Sequence, residues 1–200
     1  MEKIIYLLKE SDAMLEGHFL LSSGRHSDKY FQCAKLLQQP KNAFYALEDV
    51  VLKIKKDIED GKIKVDLTAG PAMGGIIAAW EAARQLGVNA VFTERDENGV
   101  MSLRRGFEIQ RGQNVLIVED VVTTGKSSTE CAAALAAAGA VISGLACIVD
   151  RRGDKSDEIP WRFYPAVKTS VSSWEAQDCP LCKNGIIAVK PGSRKLFPSV

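Results

Sequence analysis

The chain has 200 residues, nearly half of them apolar, and its 26 lysines and arginines balance 25 acids to a formal net charge of +1. This length suits one domain with its own core, and the near-neutral charge argues against a protein that binds nucleic acid through a basic surface. No apolar run approaches the roughly 18 residues of a membrane span. The charged N-terminal stretch MEKIIYLLKESDAMLEGHF is not typical of a secretory signal. Five irregularly spaced cysteines favour a reducing compartment, so we expect a cytoplasmic protein.

The N-terminal part is predicted to contain two amphipathic helices, over residues 2–10 and 41–58. In the second, apolar residues recur at steps of three and four, and Pro40 sits where a first-turn proline is tolerated. Between them, GHFLLSSGRHSDKYFQCAKLL mixes glycine, serine and aromatic residues. This composition is typical of a loop and strand that face a ligand.

From residue 64 onward, strands and helices alternate. The predicted strands are VDLTAG, NAVFTE, NVLIVED and VISGLACIVD, and the predicted helices are MGGIIAAWEAARQL and STECAAALAAAGA. Alternation at this spacing indicates βαβ units and a parallel sheet. Because the strands are continuous apolar runs, we expect helices on both faces of an α/β fold. The tail after residue 150 is less regular.

A polar segment, residues 95–113, separates the second and third of these strands. It contains four arginines and several glycines. Loops of this length inside a compact domain are usually functional or mobile. We therefore predict a mobile loop that closes over a site.

The stretch VLIVEDVVTTGKSS, residues 115–128, joins an apolar strand to a polar cluster that opens a helix. Ligands of open parallel sheets bind at the carboxyl ends of strands, and helix N-termini bind phosphate. The alternative is a purely structural role as a well-capped helix start, since Ser127 and Glu130 have the spacing of a capping box. Glu119 and Asp120 cannot point the same way in a regular strand, so we expect them where the chain is already turning. Carboxylates accept hydrogen bonds from sugar hydroxyls, so acids beside a phosphate-binding helix start predict a binding site for a phosphorylated ribose.

The amino-acid sequence excludes two other nucleotide-binding motifs. A Walker A loop requires a glycine at position 120, where this chain has aspartate. The dinucleotide fingerprint G-x-G-x-x-G is absent, because AGPAMGG spaces its glycines differently.

VLIVEDVVTTGKS resembles the phosphoribosyl-pyrophosphate (PRPP) signature of the type I phosphoribosyltransferases. The stretches FLLSSGRHSDKYFQCAKL, LTAGPAMGGI, LRRGF and IVDRR resemble the orotate-specific branch of that family, and the likeness covers about residues 15–195. The resemblance implies one phosphoribosyltransferase domain over 1–200, with a central, mainly parallel sheet flanked by helices. It implies a small hood, formed by residues 1–40 and 160–200, that binds the base. The implied reaction joins orotate to PRPP, giving orotidine 5′-monophosphate and pyrophosphate, in pyrimidine (UMP) biosynthesis.

The same resemblance implies a role for each matching residue. Glu119 and Asp120 would contact the ribose. The phosphate loop would be Val121, Val122, Thr123, Thr124, Gly125, Lys126 and Ser127. The pyrophosphate turn would be Ala69, Gly70, Pro71 and Gly74. Orotate would contact Thr123, Arg151, Tyr30 and Phe31, although Tyr30 and Phe31 fit a core equally well by pattern. The catalytic set would be Asp120, Glu119, Arg105, Arg104 and Arg95.

The resemblance also implies Mg²⁺ held mainly by PRPP oxygens, with no strong protein ligand, and a homodimer in which loop 95–113 reaches the neighbouring subunit. The chain departs from better-studied members at three places. Ser22 and Gly74 stand where those members have lysine, and loop 95–113 has neither lysine nor histidine. Arg95, Arg104 and Arg105 are therefore the predicted cations of that loop.

Some features leave alternatives open. A phosphoribosyltransferase for a purine or another base, or a PRPP-sensing regulator, would share the PRPP signature. Cys179-x-x-Cys182 is half of a zinc motif, and no second such pair follows. We expect a structural turn there; zinc at Cys179 and Cys182, a site shared across a dimer and a reversible disulfide are the less favoured alternatives. His18 and His26 have no obvious partner in sequence and are expected to be surface or locally hydrogen-bonded side chains.

Overall fold

The computed structural model of the protein describes residues 2–21, 23–152 and 159–191. The described helices are α1 (Glu2–Glu10), α2 (Cys33–Leu37), α3 (Pro40–Glu59), α4 (Gly74–Leu86), α5 (Lys126–Ala137) and α6 (Pro180–Lys183). The described strands are β1 (Met14–Leu20), β2 (His26–Phe31), β3 (Leu67–Pro71), β4 (Asn89–Arg95), β5 (Met101–Leu103), β6 (Asn114–Val122), β7 (Val141–Asp150), β8 (Phe163–Lys168) and β9 (Ser173–Trp174). Within these described residues, no helix is long and apolar enough to cross a membrane.

The central sheet has six strands in the order β5-β4-β3-β6-β7-β8. Every neighbouring pair is parallel except β4 and β5. β3 and β6 lie side by side although β4 and β5 separate them in the chain, so the carboxyl ends of β3, β6 and β7 meet at one edge. The prediction of an α/β fold with a mainly parallel sheet is confirmed.

Helices cover both faces of this sheet. On one face, residues of α1 to α4 share a core with β6, β7 and β8, and Leu36, Leu47, Ile54 and Ile148 are among its fully buried side chains. On the other face, α5 packs through Cys131 and Leu135 against β3, β6 and β7. α5 is thereby held so that its N-terminus begins just beyond the end of β6.

A second, antiparallel sheet lies apart from the first, with strand order β1-β2-β9. The C-terminal segment joins it through a bridge between Phe19 and Val189. This small sheet matches the expected hood-like subregion. We call β1, β2 and β9 the hood sheet.

The structure corrects three sequence expectations. β6 continues through the acid pair to Val122, two residues beyond its predicted end. Segment 95–113 is not an uninterrupted loop, because a turn at residues 96–99 returns the chain and lets Met101–Leu103 pair with β4. The tail contributes a fifth parallel strand, β8, which its mixed composition concealed.

Candidate active site

Glu119 and Asp120 lie at the carboxyl end of β6 and point to opposite faces of the sheet, as alternation along a strand requires. The expectation that the chain is already turning at these acids is wrong. Glu119 faces α5, where the Ser128 hydroxyl donates to its carboxylate over 2.9 Å. Asp120 faces α4, where its carboxylate lies directly over the α-carbon of Gly74. The two acids thus reach two different helix starts.

Burial alters the protonation of both acids. Glu119 is 6% exposed, and this burial raises its pKa to about 7, against the opposing effect of the Ser128 hydrogen bond. Burial also raises the pKa of Asp120. Burial has therefore removed part of the water around both carboxyl groups, and a ligand hydroxyl that donates to either of them would replace it.

At the N-terminus of α5, the first amide, that of Lys126, donates a long hydrogen bond of 3.3 Å to Thr124 Oγ1. Gly125 is the N-cap residue in a left-handed conformation, with φ of 78°, so the N-cap position itself supplies no side-chain cap. The predicted capping box of Ser127 and Glu130 is therefore wrong. Thr123, Thr124 and Ser127 are exposed around this turn. Main-chain amides and exposed hydroxyls on a positive helix end are a suitable anion site.

The turn between β3 and α4 brings main chain very close to main chain. A β-carbon at Gly70 would lie 2.1 Å from the Gly75 carbonyl oxygen, and one at Gly74 would lie 2.3–2.5 Å from the three carboxyl atoms of Asp120. These short distances require glycine at residue 70 because of the packing and at residue 74 because of the position of the acid. The peptide bond between Ala72 and Met73 is cis. The contact with Asp120 is a physical reason for glycine at residue 74.

An open pocket of about 450 Å³ connects the hood sheet with the phosphate loop. Its lining includes Tyr30 from the hood, Thr123 from the loop and Arg151 from the end of β7. The predicted orotate contacts are brought together in this way, except that Phe31 is buried. The Arg151 guanidinium stacks over the Phe31 ring, 5.2 Å from its centre. Phe31 is thus a support for Arg151 rather than part of the lining.

Arg151 is unusual among the cations of the site. Its Nε atom is buried and has no hydrogen-bond partner among the described residues, and burial lowers the pKa of the guanidinium group. A buried guanidinium N–H without an acceptor in the described part of the chain is well suited to a planar anionic ligand.

The three arginines predicted to act in catalysis do not lie beside the acids. Arg105 makes two hydrogen bonds to Glu94, of 2.8 and 3.0 Å, and Arg104 lies 4.0 Å from the same carboxylate. Arg95 contacts Glu130 of α5 over 2.5 Å. The hairpin of β4 and β5 holds these side chains along β4, so they would have to leave these exposed ion pairs to reach a ligand.

The structure reveals neighbours that sequence reasoning missed. His18 and His26 are buried, 4% and 9% exposed, and lie against Cys179 and Cys182. The expectation of a surface position is wrong for both histidines, whereas the alternative of hydrogen-bonded side chains agrees with the contacts of His18 to His26 and to the Ile186 carbonyl. Both histidines lie on β1 and β2, beside the Cys179-x-x-Cys182 pair. Ser128, the partner of Glu119, was also missed, although its place in the first turn of α5 was a signal. Ser22 and residues 192–200 of the predicted hood lie outside the described residues.

The comparisons with known proteins agree with this geometry. A model of the phosphoribosyl transferase domain matches residues 37–181. The chain belongs to the phosphoribosyltransferase family. An orotate phosphoribosyltransferase of Caldanaerobacter subterraneus subsp. tengcongensis is 47% identical over 196 residues, which cover 98% of each chain.

Solved structures of this family have the same fold. An orotate phosphoribosyltransferase from Aeropyrum pernix, 25% identical, aligns with a TM-score of 0.67 over 82% of this chain and 93% of its own. The UMP synthase of Leishmania donovani, 22% identical, gives the same TM-score over 83% of this chain and 36% of its own, and supports the fold alone.

Proposed function

We propose that the protein is an orotate phosphoribosyltransferase, which transfers the 5-phosphoribosyl group of PRPP to orotate in pyrimidine biosynthesis. The observation that carries this proposal is the meeting, at one sheet edge, of an acid pair, a helix start with glycine at its N-cap and an arginine whose buried Nε has no partner among the described residues. The full-length relative at 47% identity supports the same activity.

The phosphate and ribose of PRPP fit the end of β6. The amides and hydroxyls of residues 123–127 suit the 5-phosphate, since helix N-termini favour anions. The proposal assigns the ribose hydroxyls as donors to Glu119 and Asp120, and the position of both acids at the carboxyl end of β6 supports it. Their raised pKa values suit this role, because a ligand hydroxyl replaces water that burial has removed.

Orotate fits the pocket under the hood sheet. Its carboxylate would pair with Arg151, and its ring would lie against Tyr30, whose hydroxyl is held by Gln32 at 2.9 Å. A purine base has no carboxylate and would leave the Arg151 guanidinium without a charged partner. The Arg151 guanidinium therefore favours orotate over the alternative of a purine substrate.

Transfer breaks the bond between the anomeric carbon and pyrophosphate and forms a bond from that carbon to a ring nitrogen of orotate, whose N–H proton passes to the departing pyrophosphate or to solvent. The turn at residues 69–74 would bind the leaving pyrophosphate through the amides of Met73 and Gly74, since Pro71 has no N–H and the Ala72 amide donates to the Thr93 carbonyl. Glu119 and Asp120 face opposite sides of the sheet, so Mg²⁺, a hard cation, would be held mainly by PRPP oxygens and would neutralise phosphate charge there. We propose that Arg95, Arg104 and Arg105 leave their exposed ion pairs when loop 95–113 closes and excludes water.

We further propose a homodimer and a cytoplasmic location. Met73, Ile77 and Trp80 are 83%, 45% and 58% exposed and follow one face of α4, next to the Asp120 contact. A second copy covering this face would place its own loop near the site. Trp80→Glu should yield a monomer by light scattering, whereas a wild-type monomer would contradict the dimer. All five cysteines are free thiols, which is consistent with a reducing compartment.

The activity is tested by following orotate consumption with PRPP and Mg²⁺, with adenine and hypoxanthine as competing bases. We expect turnover with orotate alone and a loss of at least about 100-fold in Asp120→Asn. Asp49→Asn, an exposed change on α3, is the matched control and should keep full activity. Turnover of a purine in place of orotate would contradict the proposed substrate.

A further inference from the structure

The two histidines and two cysteines of the hood form a compact cluster, here called the Cys/His cluster: His18, His26, Cys179 and Cys182. Their four donor atoms all lie within 4.8 Å of one another. His18 Nε2 is 2.7 Å from His26 Nδ1 and 3.4 Å from Cys179 Sγ. Cys182 Sγ is 3.3 Å from His26 Nδ1 and 3.8 Å from His18 Nε2.

These separations are close to those of a tetrahedral zinc site. With Zn–N of about 2.0 Å and Zn–S of about 2.3 Å, tetrahedral ligand atoms lie about 3.3 to 3.8 Å apart. Three of the four measured separations fall within that interval, and the imidazole pair would need to part by about half an ångström. Two imidazoles and two thiolates are a donor set that zinc binds well.

The surroundings orient the cluster as ligands are oriented in metal sites. The Ile186 carbonyl oxygen lies 2.7 Å from His18 Nδ1. A proton on Nδ1 donated to this carbonyl leaves Nε2 as the free electron pair that faces the cluster. A register shift between Glu16 and Phe19 makes a bulge in β1 where His18 sits, and bulges re-aim side chains.

Four protein donors fill the coordination of zinc and leave no open position, so the site is structural rather than catalytic. It also lies in the hood, outside the acid pair and the phosphate loop. We propose that the protein binds one structural Zn²⁺ ion, which fastens its C-terminal segment to the hood sheet through the Cys/His cluster.

The ion would stabilise a weak part of the fold. β9 has two residues and α6 has four, and the contacts of the C-terminal segment with β1 include the main-chain hydrogen bonds of Val189 with His18 and Leu20. His26 begins β2, and Tyr30 of the same strand lines the orotate pocket. Metal bound at the His26 end of β2 would therefore hold this strand in place, including its Tyr30 end, which lines the base pocket.

The metal content of the purified protein tests the proposed zinc site, and this test requires no assay of enzyme activity. Protein purified from zinc-supplied cells should contain one zinc per chain by plasma mass spectrometry. Its cobalt(II) form should show the visible absorption of a tetrahedral site and thiolate charge transfer in the near ultraviolet. Cys182→Ser, the change at the most exposed ligand, should lose both signals. Cys131→Ala, which removes a cysteine buried in α5, should keep them.

Two results would overturn the proposal. One is full-length, folded wild-type protein with five titratable thiols and no bound metal after zinc supply. The other is a disulfide between Cys179 and Cys182 in the native protein. If the proposed function also holds, removal of zinc should raise KM for orotate by about tenfold and leave KM for PRPP nearly unchanged. An inactive protein with one bound zinc would refute the proposed function and leave the zinc site standing.

Discussion

Gly74→Ala separates the position of Asp120, the proposed catalytic acid, from the stability of the fold. A β-carbon at residue 74 would lie 2.3 Å from Oδ2 and 2.4 Å from Cγ of Asp120. Ordinary van der Waals contact begins at 3.4 Å, so the carboxyl group must move by about 1 Å. A displacement of that size at a reacting centre costs about 100-fold in rate. We therefore expect kcat/KM for PRPP to fall about 100-fold.

The same substitution should leave stability almost unchanged. Residue 74 begins α4, where alanine is favoured over glycine by about 0.5–1 kcal/mol, and this gain offsets part of the strain. Gly70→Ala is the contrasting variant, because its β-carbon would lie 2.1 Å from a main-chain oxygen that cannot swing away. We expect Gly70→Ala to cost about 3 kcal/mol or more, a fall in Tm of at least about 6 °C.

The assay pairs steady-state kinetics of each variant with its thermal unfolding curve. Gly74→Ala with wild-type kcat/KM would refute the claim that Asp120 must stay at this position. Gly74→Ala with a Tm as low as that of Gly70→Ala would show that glycine is needed there for packing alone.

Three further predictions concern charged groups of the site. Because burial raises the pKa of Glu119 from 4.5 to about 7, the folded chain binds more protons than the unfolded chain between these values, and stability should fall by about 3 kcal/mol as pH rises through them. Glu119→Gln should remove this part of the dependence in denaturant unfolding, and an unchanged profile would contradict the assignment. Arg151→Lys should lower kcat/KM for orotate by about 30-fold or more with KM for PRPP retained; an equal rise in both KM values would argue against a carboxylate contact. Arg105→Ala should lower kcat by about tenfold or more, whereas Glu94→Gln should shift Tm by less than about 3 °C, since exposed ion pairs contribute little; full activity of Arg105→Ala would exclude it from the closed site.

The sequence predicted those features that depend on residues close together in the chain. Alternating apolar strands and helices predicted the sheet, and the acids followed by the Thr-Gly turn predicted that a strand there runs into a helix start. These signals are local, because strand periodicity and a helix start are properties of about ten consecutive residues. β5 and β8 escaped prediction because pairing with a neighbour, rather than their own composition, makes them strands.

The Cys/His cluster could not be predicted in the same way. Its histidines and cysteines are separated by more than 150 residues in the chain, and a bulge in β1 aims His18 at them. No rule of spacing connects such distant positions. The expectation that the chain turns at Glu119 and Asp120 was wrong for a related reason, since the length of β6 depends on its pairing with β7 through Asp150.

A crystal structure of the protein with PRPP and Mg²⁺ tests the central claim most directly. We predict the 5-phosphate within hydrogen-bond distance of the amides of residues 124–127, with ribose hydroxyls on Glu119 and Asp120. A ligand bound elsewhere, with the start of α5 occupied only by solvent, would contradict the account.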